Sequence, residues 1–303
     1  MASSTLASAT GSPGGRLPAP RPTFLQRFAR NPAARVGGTM LALMVAAAAF
    51  AGPLGLGSPR TLGAEPLAPP SWKHLFGTDD LGRDIWTGVL FGARVSLTVG
   101  ILAAATSALI GTTVGSLAGY FGGVTDNVLM RTTEFFLVIP SFLLALILVA
   151  VSGPSIVNVI LAIGLLGWPS TARVVRAEFM ALKEREFVTA ARAIGVGTRR
   201  LVFRQILPNA APPAVVITSL GVASAILIEA GLSFLGLGDP NQFSWGLMLR
   251  NSREFLRIAW WMPTFPGLAI FFTVLAVNLV GDGLNDALNP RTAQRGRRRR
   301  GED

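Results

Sequence analysis

The sequence predicts an all-α integral membrane protein with six transmembrane helices. Half of its 303 residues are hydrophobic and only 14% are charged, whereas soluble domains average about 25% charged residues. Charges are missing from long apolar runs, as expected for segments in a bilayer. The formal net charge is +11, and the basic residues gather in the two tails and one loop. There they set orientation and contact the membrane surface, so we expect the lipid bilayer and no nucleic acid as a partner.

Each predicted span follows from an uncharged run. A spanning helix needs about 20 apolar residues, and four runs fit one helix each: residues 36–59, 95–125, 205–228 and 258–281. The run over residues 135–172 is too long for one helix and carries a turn signal, Ser152-Gly153-Pro154-Ser155, near its middle. Dividing this run into two short helices gives six spans.

The charge distribution predicts three regions and their orientation. Residues 1–35 form a basic N-terminal tail, partly disordered over residues 1–22. Residues 36–288 form the transmembrane domain, and residues 289–303 form a basic C-terminal tail. The loop over residues 173–209 holds eight basic residues against three acidic ones. Six spans place this loop and both tails on one side, which the positive-inside rule makes cytoplasmic.

One alternative concerns the first span. Ala49-Phe50-Ala51 resembles a signal-peptidase site that follows an apolar stretch. The polar region before this stretch is long for a signal peptide, however, and the apolar run continues past the second alanine. The first span is therefore predicted to remain uncleaved.

The sequence gives little support for a catalytic site. It contains no cysteine, which excludes disulfides and thiolate metal sites, and we expect no metal site. The two lysines, Lys73 and Lys183, do not follow a glycine, so the chain has no phosphate-binding loop of the Gly-Lys-Ser/Thr type. The single histidine, His74, fits a solvated loop position. We therefore expect a protein that is not an enzyme and holds no cofactor.

The loop over residues 173–209 carries the most distinctive pattern. Residues 178–193 are good helix formers, and Gly195 and Gly197 are expected to end that helix. A second short helix is predicted over residues 198–206, running to Pro208. Helix, glycine turn and helix would form a compact knob at the membrane face, where the small residues Ala190, Ala191 and Ala193 allow a partner to approach closely. The alternative is a solvated amphipathic loop.

This segment resembles the coupling segment of permease subunits in ATP-binding-cassette importers. The family pattern is Glu-Ala-Ala, three residues, Gly, nine residues, then Ile-x-Leu-Pro. Residues 186–195 read EFVTAARAIG and residues 205–209 read QILPN, which brings five family positions into register. The resemblance implies that the ATPase contacts lie at Glu186, Thr189, Ala190, Ala191, Gly195, Arg199, Leu207 and Pro208. Thr189 stands where the family has Glu, and Glu186 is expected to supply the negative charge.

Five further segments resemble the dipeptide/oligopeptide/nickel branch of these permeases, and most closely its second permease subunit. They are GTDDLGRD at residues 77–84, FGARVSL at 91–97, EAGLSFLGLG at 229–238, SWG at 244–246 and LVGDGLND at 279–286. The outer loops at about 57–93 and 236–257 would dock a binding protein, with contacts at Asp79, Asp80, Arg83, Asp84 and Trp245. Taken singly, these segments also fit turns and helix caps, with Arg94 anchoring a helix end.

The resemblance implies that the fifth span lines the translocation path. Ser224, Glu229 and Ser233 are the candidate path or gate residues on this span. Glu229 lies near its outer end, where a carboxylate either reaches towards the interface or faces a water-filled path.

The resemblance also implies a set of partners. They are a homologous permease, two cytoplasmic ATPase subunits that hold ATP and magnesium, and an extracytoplasmic binding protein. The chain would lie in the bacterial cytoplasmic membrane with both termini in the cytoplasm. Peptides are the expected substrates, and nickel or another small solute is the alternative. A self-sufficient channel or carrier would require more charges inside the spans than this sequence has.

Overall fold

The fold is a bundle of long helices. The computed structural model describes residues 23–52 and 57–288, and most of these residues are helical. The helices are α1 (Phe24–Arg30), α2 (Pro32–Phe50), α3 (Ile85–Phe121), α4 (Gly123–Val138), α5 (Ser141–Ser152), α6 (Ile156–Lys183), α7 (Glu186–Ala193), α8 (Thr198–Leu201), α9 (Leu207–Phe234), α10 (Trp245–Asn251) and α11 (Trp261–Leu288). A π-helical turn, Val202–Ile206, joins α8 to α9, and a 3-10 turn, Arg253–Phe255, follows α10. The tail predictions for residues 1–22 and 289–303 lie outside the described residues.

Five helical stretches are long and apolar enough to cross a membrane: α2, α3, α6, α11 and the continuous stretch from α8 to α9. Helices α4 and α5 meet at an angle of 86° and give a sixth span when counted as one broken helix. The prediction of six α-helical spans is therefore confirmed.

The second span begins ten residues before the predicted boundary. Helix α3 starts at Ile85, where the Asp84 carboxylate accepts a hydrogen bond from the Thr87 N–H at 2.8 Å and caps the helix. Arg94 therefore lies inside the helix. Its guanidinium donates to the carbonyl oxygens of Ala48 at 2.5 Å and Ala49 at 3.0 Å. These carbonyls lie at the C-terminal end of α2, which confirms that Arg94 anchors a helix end.

The third span contains a bend that the sequence analysis missed. The break at residues 152–155 is confirmed, because α5 ends at Ser152 and α6 begins at Ile156, with Gly153 between them at φ +92°. The chain bends again at Pro140, which separates α4 from α5. The charged residues at 126–134, which precede the predicted span, therefore belong to its first half.

A row of glycines on α3 holds α6 in close contact. Gly111, Gly115 and Gly119 recur every fourth residue and so share one face of α3. A Cβ atom at Gly115 would lie 2.4 Å from the carbonyl oxygen of Ala172, and one at Gly119 would lie 2.6 Å from Cβ of Phe179. Only glycine permits the two backbones to approach this closely, a common arrangement in membrane helix pairs.

The other spans extend this pair into a bundle. Helix α9 packs against α3, α6 and α11, and α11 packs against α2. At one end of the bundle, α10 inserts between α9 and α11, with Trp245 buried against Gly92 of α3. Since α3 and α9 both contact α6, they fix the direction in which α6 leaves the bundle towards α7.

Replacing Gly115 with Ala should destabilise the protein by about 1–3 kcal/mol, because the added methyl group overlaps the α6 backbone. The measurement is the unfolding midpoint of the detergent-solubilised protein. Gly38→Ala is the matched control, since a Cβ at Gly38 would have no atom of the described residues within 4 Å. Equal midpoints for the two variants would contradict the close α3–α6 contact.

Candidate functional site

The candidate coupling site is the knob formed by residues 186–206, from α7 to the π-helical turn. The sequence analysis expected one helix over residues 178–193, but α6 ends at Lys183 and α7 begins at Glu186. This turn brings Val188 and Ala191 back against Phe179 of α6, and all three side chains are buried. A straight continuation of α6 would carry these apolar residues into solvent.

Gly195 ends α7, as predicted from the sequence. Its backbone has φ +80°, a conformation that side-chain-bearing residues adopt at a cost. The N–H of Gly195 donates to the Arg192 carbonyl, and the N–H of Val196 donates to the Ala191 carbonyl, both at 3.0 Å. These bonds occupy carbonyls that the end of a helix leaves without partners.

The second knob helix is not separate from the span that follows it. Helix α8, the π-helical turn and α9 form one stretch from Thr198 to Phe234, so the predicted end at Pro208 is wrong. Proline has no N–H to donate to the preceding turn. The wider π-helical turn precedes it, and the side-chain amide of Asn209 donates to the Gln205 carbonyl at 2.6 Å. The helix therefore passes through Pro208 without a break.

The knob has a buried face and an exposed face. Val188, Leu201 and Ile206 form a common apolar cluster with the ends of α6 and α9. Six of the candidate coupling residues are exposed: Glu186, Thr189, Ala190, Gly195, Arg199 and Pro208. The other two, Ala191 and Leu207, belong to the buried cluster or pack against it, so they support the knob.

The sequence analysis missed the apolar side chains on the exposed face. Ile194 at the tip of the knob is 82% exposed, and Phe187 and Phe203 are also exposed. Exposed apolar side chains of this kind indicate a contact surface. The positions of these residues in the sequence do not distinguish them from apolar residues that are buried. The exposed face can therefore bury apolar surface against a partner protein.

The residues proposed for binding-protein docking make contacts within the chain. Asp79 accepts hydrogen bonds from the N–H groups of Leu81 and Arg83, and the Arg83 guanidinium donates to it at 2.6 Å. Trp245 is 1% exposed and donates to the Val89 carbonyl at 2.9 Å.

Two further docking candidates also have little free surface. Asp84 caps α3, and Asp80 is partly buried. These residues thus shape the loop that precedes α3. Trp72 in the same loop, which the sequence analysis did not select, is 99% exposed and available for contact.

Two of the three candidate path residues are buried inside this chain. Glu229 is 3% exposed, and its carboxylate accepts hydrogen bonds from Ser233 at 2.7 Å and from Ser96 of α3 at 3.2 Å. Within this chain the Glu229 side chain is enclosed between α3 and α9. Sequence analysis could not find the α3 partner, which lies 133 residues away.

Ser224 lies on an open cavity of about 510 Å³ between α3, α5, α6 and α9. Among the described residues, the lining side chains are apolar or carry hydroxyl groups, and none of them is charged. The bend at Pro140 forms part of the wall. The cavity is therefore neutral, and Ser224 is the candidate path residue that reaches it.

Comparison with known families assigns the chain. A family model described as "Binding-protein-dependent transport system inner membrane component" matches residues 111–294, which include α6, the knob, most of the cavity wall and α11. The chain belongs to this family. This permease is thus a multi-pass inner membrane protein and the membrane subunit of an ATP-binding-cassette importer. Membership implies ATPase and substrate-binding partners in general.

Curated relatives cover most of the permease. It is 44% identical over 283 residues to the dipeptide transport system permease protein DppC of Escherichia coli (strain K12), covering 91% of this chain and 94% of the relative. It is 40% identical over 289 residues to the di/tripeptide transport system permease protein DppC of Pseudomonas aeruginosa, covering 90% and 93%. The resemblance to the dipeptide branch of importer permeases is therefore confirmed.

A solved structure confirms the fold. The inward-facing MetNI methionine ABC transporter contains a chain that matches this permease with a TM-score of 0.54 and 19% identity, covering 67% of this chain and 96% of the solved one. At this identity the match shows the fold alone, which is that of a type I importer permease.

Val188→Ala should loosen the knob, because Val188 is fully buried beneath α7 and the substitution removes two methyl groups from the cluster. We expect faster hydrogen exchange of the α7 amides, by about tenfold for each 1.4 kcal/mol lost. The matched control is Thr189→Ala on the exposed face. Unchanged α7 exchange in Val188→Ala would show that the cluster does not hold the knob.

Proposed function

We propose that this permease carries peptides of two to several residues across the cytoplasmic membrane. It would pair with a homologous permease, two ATPase subunits and an extracytoplasmic binding protein, with both termini in the cytoplasm. The main support is the knob, whose exposed apolar tip is fixed to two spans by a buried cluster. The names of the relatives support peptides as the substrate.

In this proposal, the knob transmits motion from the ATPases to the spans. The ATPase subunits hold ATP and magnesium and hydrolyse the nucleotide, while this chain does no chemistry. Closure of the ATPase dimer moves the groove in which Ile194 and its neighbours sit. Because Val188 and Leu201 are buried between α6 and α9, α6 and α9 move with the knob. The two permeases then change from inward-open to outward-open by rigid-body motion.

Outside the membrane, the loop that precedes α3 would receive the binding protein. This loop is held by backbone and side-chain hydrogen bonds, such as those from Trp261 to the Thr78 carbonyl at 3.0 Å and from Thr78 to the Glu65 carbonyl at 2.6 Å. A loop fixed in this way loses little conformational entropy on binding. The exposed Trp72 is the side chain that best fits a docking anchor.

The test of the proposed function is co-purification from detergent-solubilised membranes, followed by mass spectrometry. We expect the tagged chain to recover a homologous permease and ATPase subunits, and the reconstituted complex to import radiolabelled dipeptides with ATP. A known importer solubilised in the same detergent serves as the control. Recovery of this chain alone, beside an intact control complex, would favour a self-sufficient carrier or channel.

Gly195→Leu should uncouple ATP hydrolysis from transport. The site has open space, since a Cβ added there would have no atom of the described residues within 4 Å, but φ +80° disfavours any side chain. The turn must therefore rearrange, and we expect uptake to fall at least tenfold while membrane insertion is normal. Gly197→Leu is the control, because its space is equally open and its φ is −64°. Normal uptake by Gly195→Leu would count against the coupling role.

A further inference from the structure

The neutral cavity continues into a charged recess. An open recess of about 1180 Å³ lies between α4 and α6, and Ser170 and Ile217 line both the cavity and the recess. In the described part of the chain, the cavity is lined by no charged side chain, whereas the recess is lined by five: Asp126, Arg131, Glu134, Arg173 and Arg176. A solute moving along this wall therefore passes from a neutral environment to a charged one at Ser170.

Four of the five charged side chains of the recess form two ion pairs, and the fifth is an arginine. The Arg176 guanidinium donates to both carboxylate oxygens of Asp126, at 2.5 and 2.6 Å. Arg131 donates to Glu134 at 3.2 Å. Arg173 is exposed and makes no ion pair with any residue over 23–52 or 57–288. Both carboxylates are thus already partnered, and Arg173 supplies the net positive charge.

Arg173 lines the recess close to its junction with the neutral cavity. It follows Ser170 by three residues on α6, so the two side chains share one face of the helix. Arg173 also follows the first residue of α6, Ile156, by 17 residues, which is about 26 Å at 1.5 Å per residue. Since the hydrocarbon core is about 30 Å thick, Arg173 falls near its far edge, on the side of the knob.

We propose that Arg173 binds the carboxylate group of the transported solute where the solute leaves the neutral cavity. This inference rests on the proposed function and specifies the carboxylate as the group of the substrate that this chain binds. A guanidinium presents parallel N–H donors that match a carboxylate, and its charge does not depend on pH. Because the recess is open to water, the interaction is weak enough for the solute to depart.

The absence of cysteine from the sequence allows a direct test. A Ser170→Cys variant carries a single thiol at the junction of the cavity and the recess. In the assembled complex, mass spectrometry of this chain would give the rates of modification by an anionic and a cationic methanethiosulfonate reagent. We expect Arg173→Gln to lower the anionic-to-cationic rate ratio at least threefold. Arg173→Lys should retain the ratio, as should the control Arg30→Gln, which changes an exposed arginine of α1 outside both the recess and the knob.

A protection experiment then identifies the bound group. Ala-Ala with a free carboxylate should slow modification of Ser170→Cys more than Ala-Ala amide does, and Arg173→Gln should remove this difference. Equal protection by the two peptides would overturn the proposal, as would a rate ratio that does not depend on Arg173. These rates do not depend on ATP-driven uptake, so failure of peptide import by the complex would count against the proposed function alone.

The same chemistry could come from a lipid phosphate, and a third comparison separates the two sources. The complex is placed in nanodiscs of phosphatidylcholine with or without phosphatidylglycerol. We expect protection by Ala-Ala in both membranes. Slower modification with phosphatidylglycerol and no effect of the peptide would assign Arg173 to a lipid headgroup and overturn the proposal.

Discussion

The close contact between α3 and α6 determines the positions of the neutral cavity, the charged recess and the knob. Gly111, Gly115 and Gly119 let the backbones of the two helices touch, and larger residues would push α6 outwards. The middle of α6 bounds the neutral cavity and carries Arg173, and the last turns of α6 support the knob. A shift of α6 by the width of a methyl group would therefore displace the cavity wall, the charged recess and the knob together.

Apolar runs predicted the number of spans, but the charged residues that bound these runs did not mark where the helices begin and end. Arg94 lies within α3 because the carbonyl groups at the end of α2 accept its hydrogen bonds. Asp126 lies within α4 because Arg176 pairs with it from a helix 50 residues away. Such partners come from distant parts of the chain, and a window along the sequence does not contain them. Prediction from composition alone therefore made α3 and α4 too short.

Sequence motifs selected the candidate site residues, but they did not show which of those residues are buried. Gly195 was correctly predicted to end a helix because a glycine turn is a local property, readable from the chain. Trp245, Ala191 and Glu229 were selected as contact or path residues, yet all three are buried within the chain. A motif shows that a residue matters, but the direction of its side chain depends on the packing of the bundle. For the same reason, the exposure of Ile194 and Trp72, which the motifs did not select as site residues, is evident only from the structure.

The unbroken helix through Pro208 gives the permease a long lever arm. From Thr198 to Phe234 the stretch has 37 residues, or about 55 Å at 1.5 Å per residue. Pivoted at one end, such a rod amplifies rotation, so a tilt of about 5° displaces the other end by about 5 Å. Glu229 lies one turn from that far end and is bonded to α3 through Ser96. A tilt about the Thr198 end would therefore displace this buried carboxylate more than any residue near the knob, and would strain its hydrogen bond to Ser96.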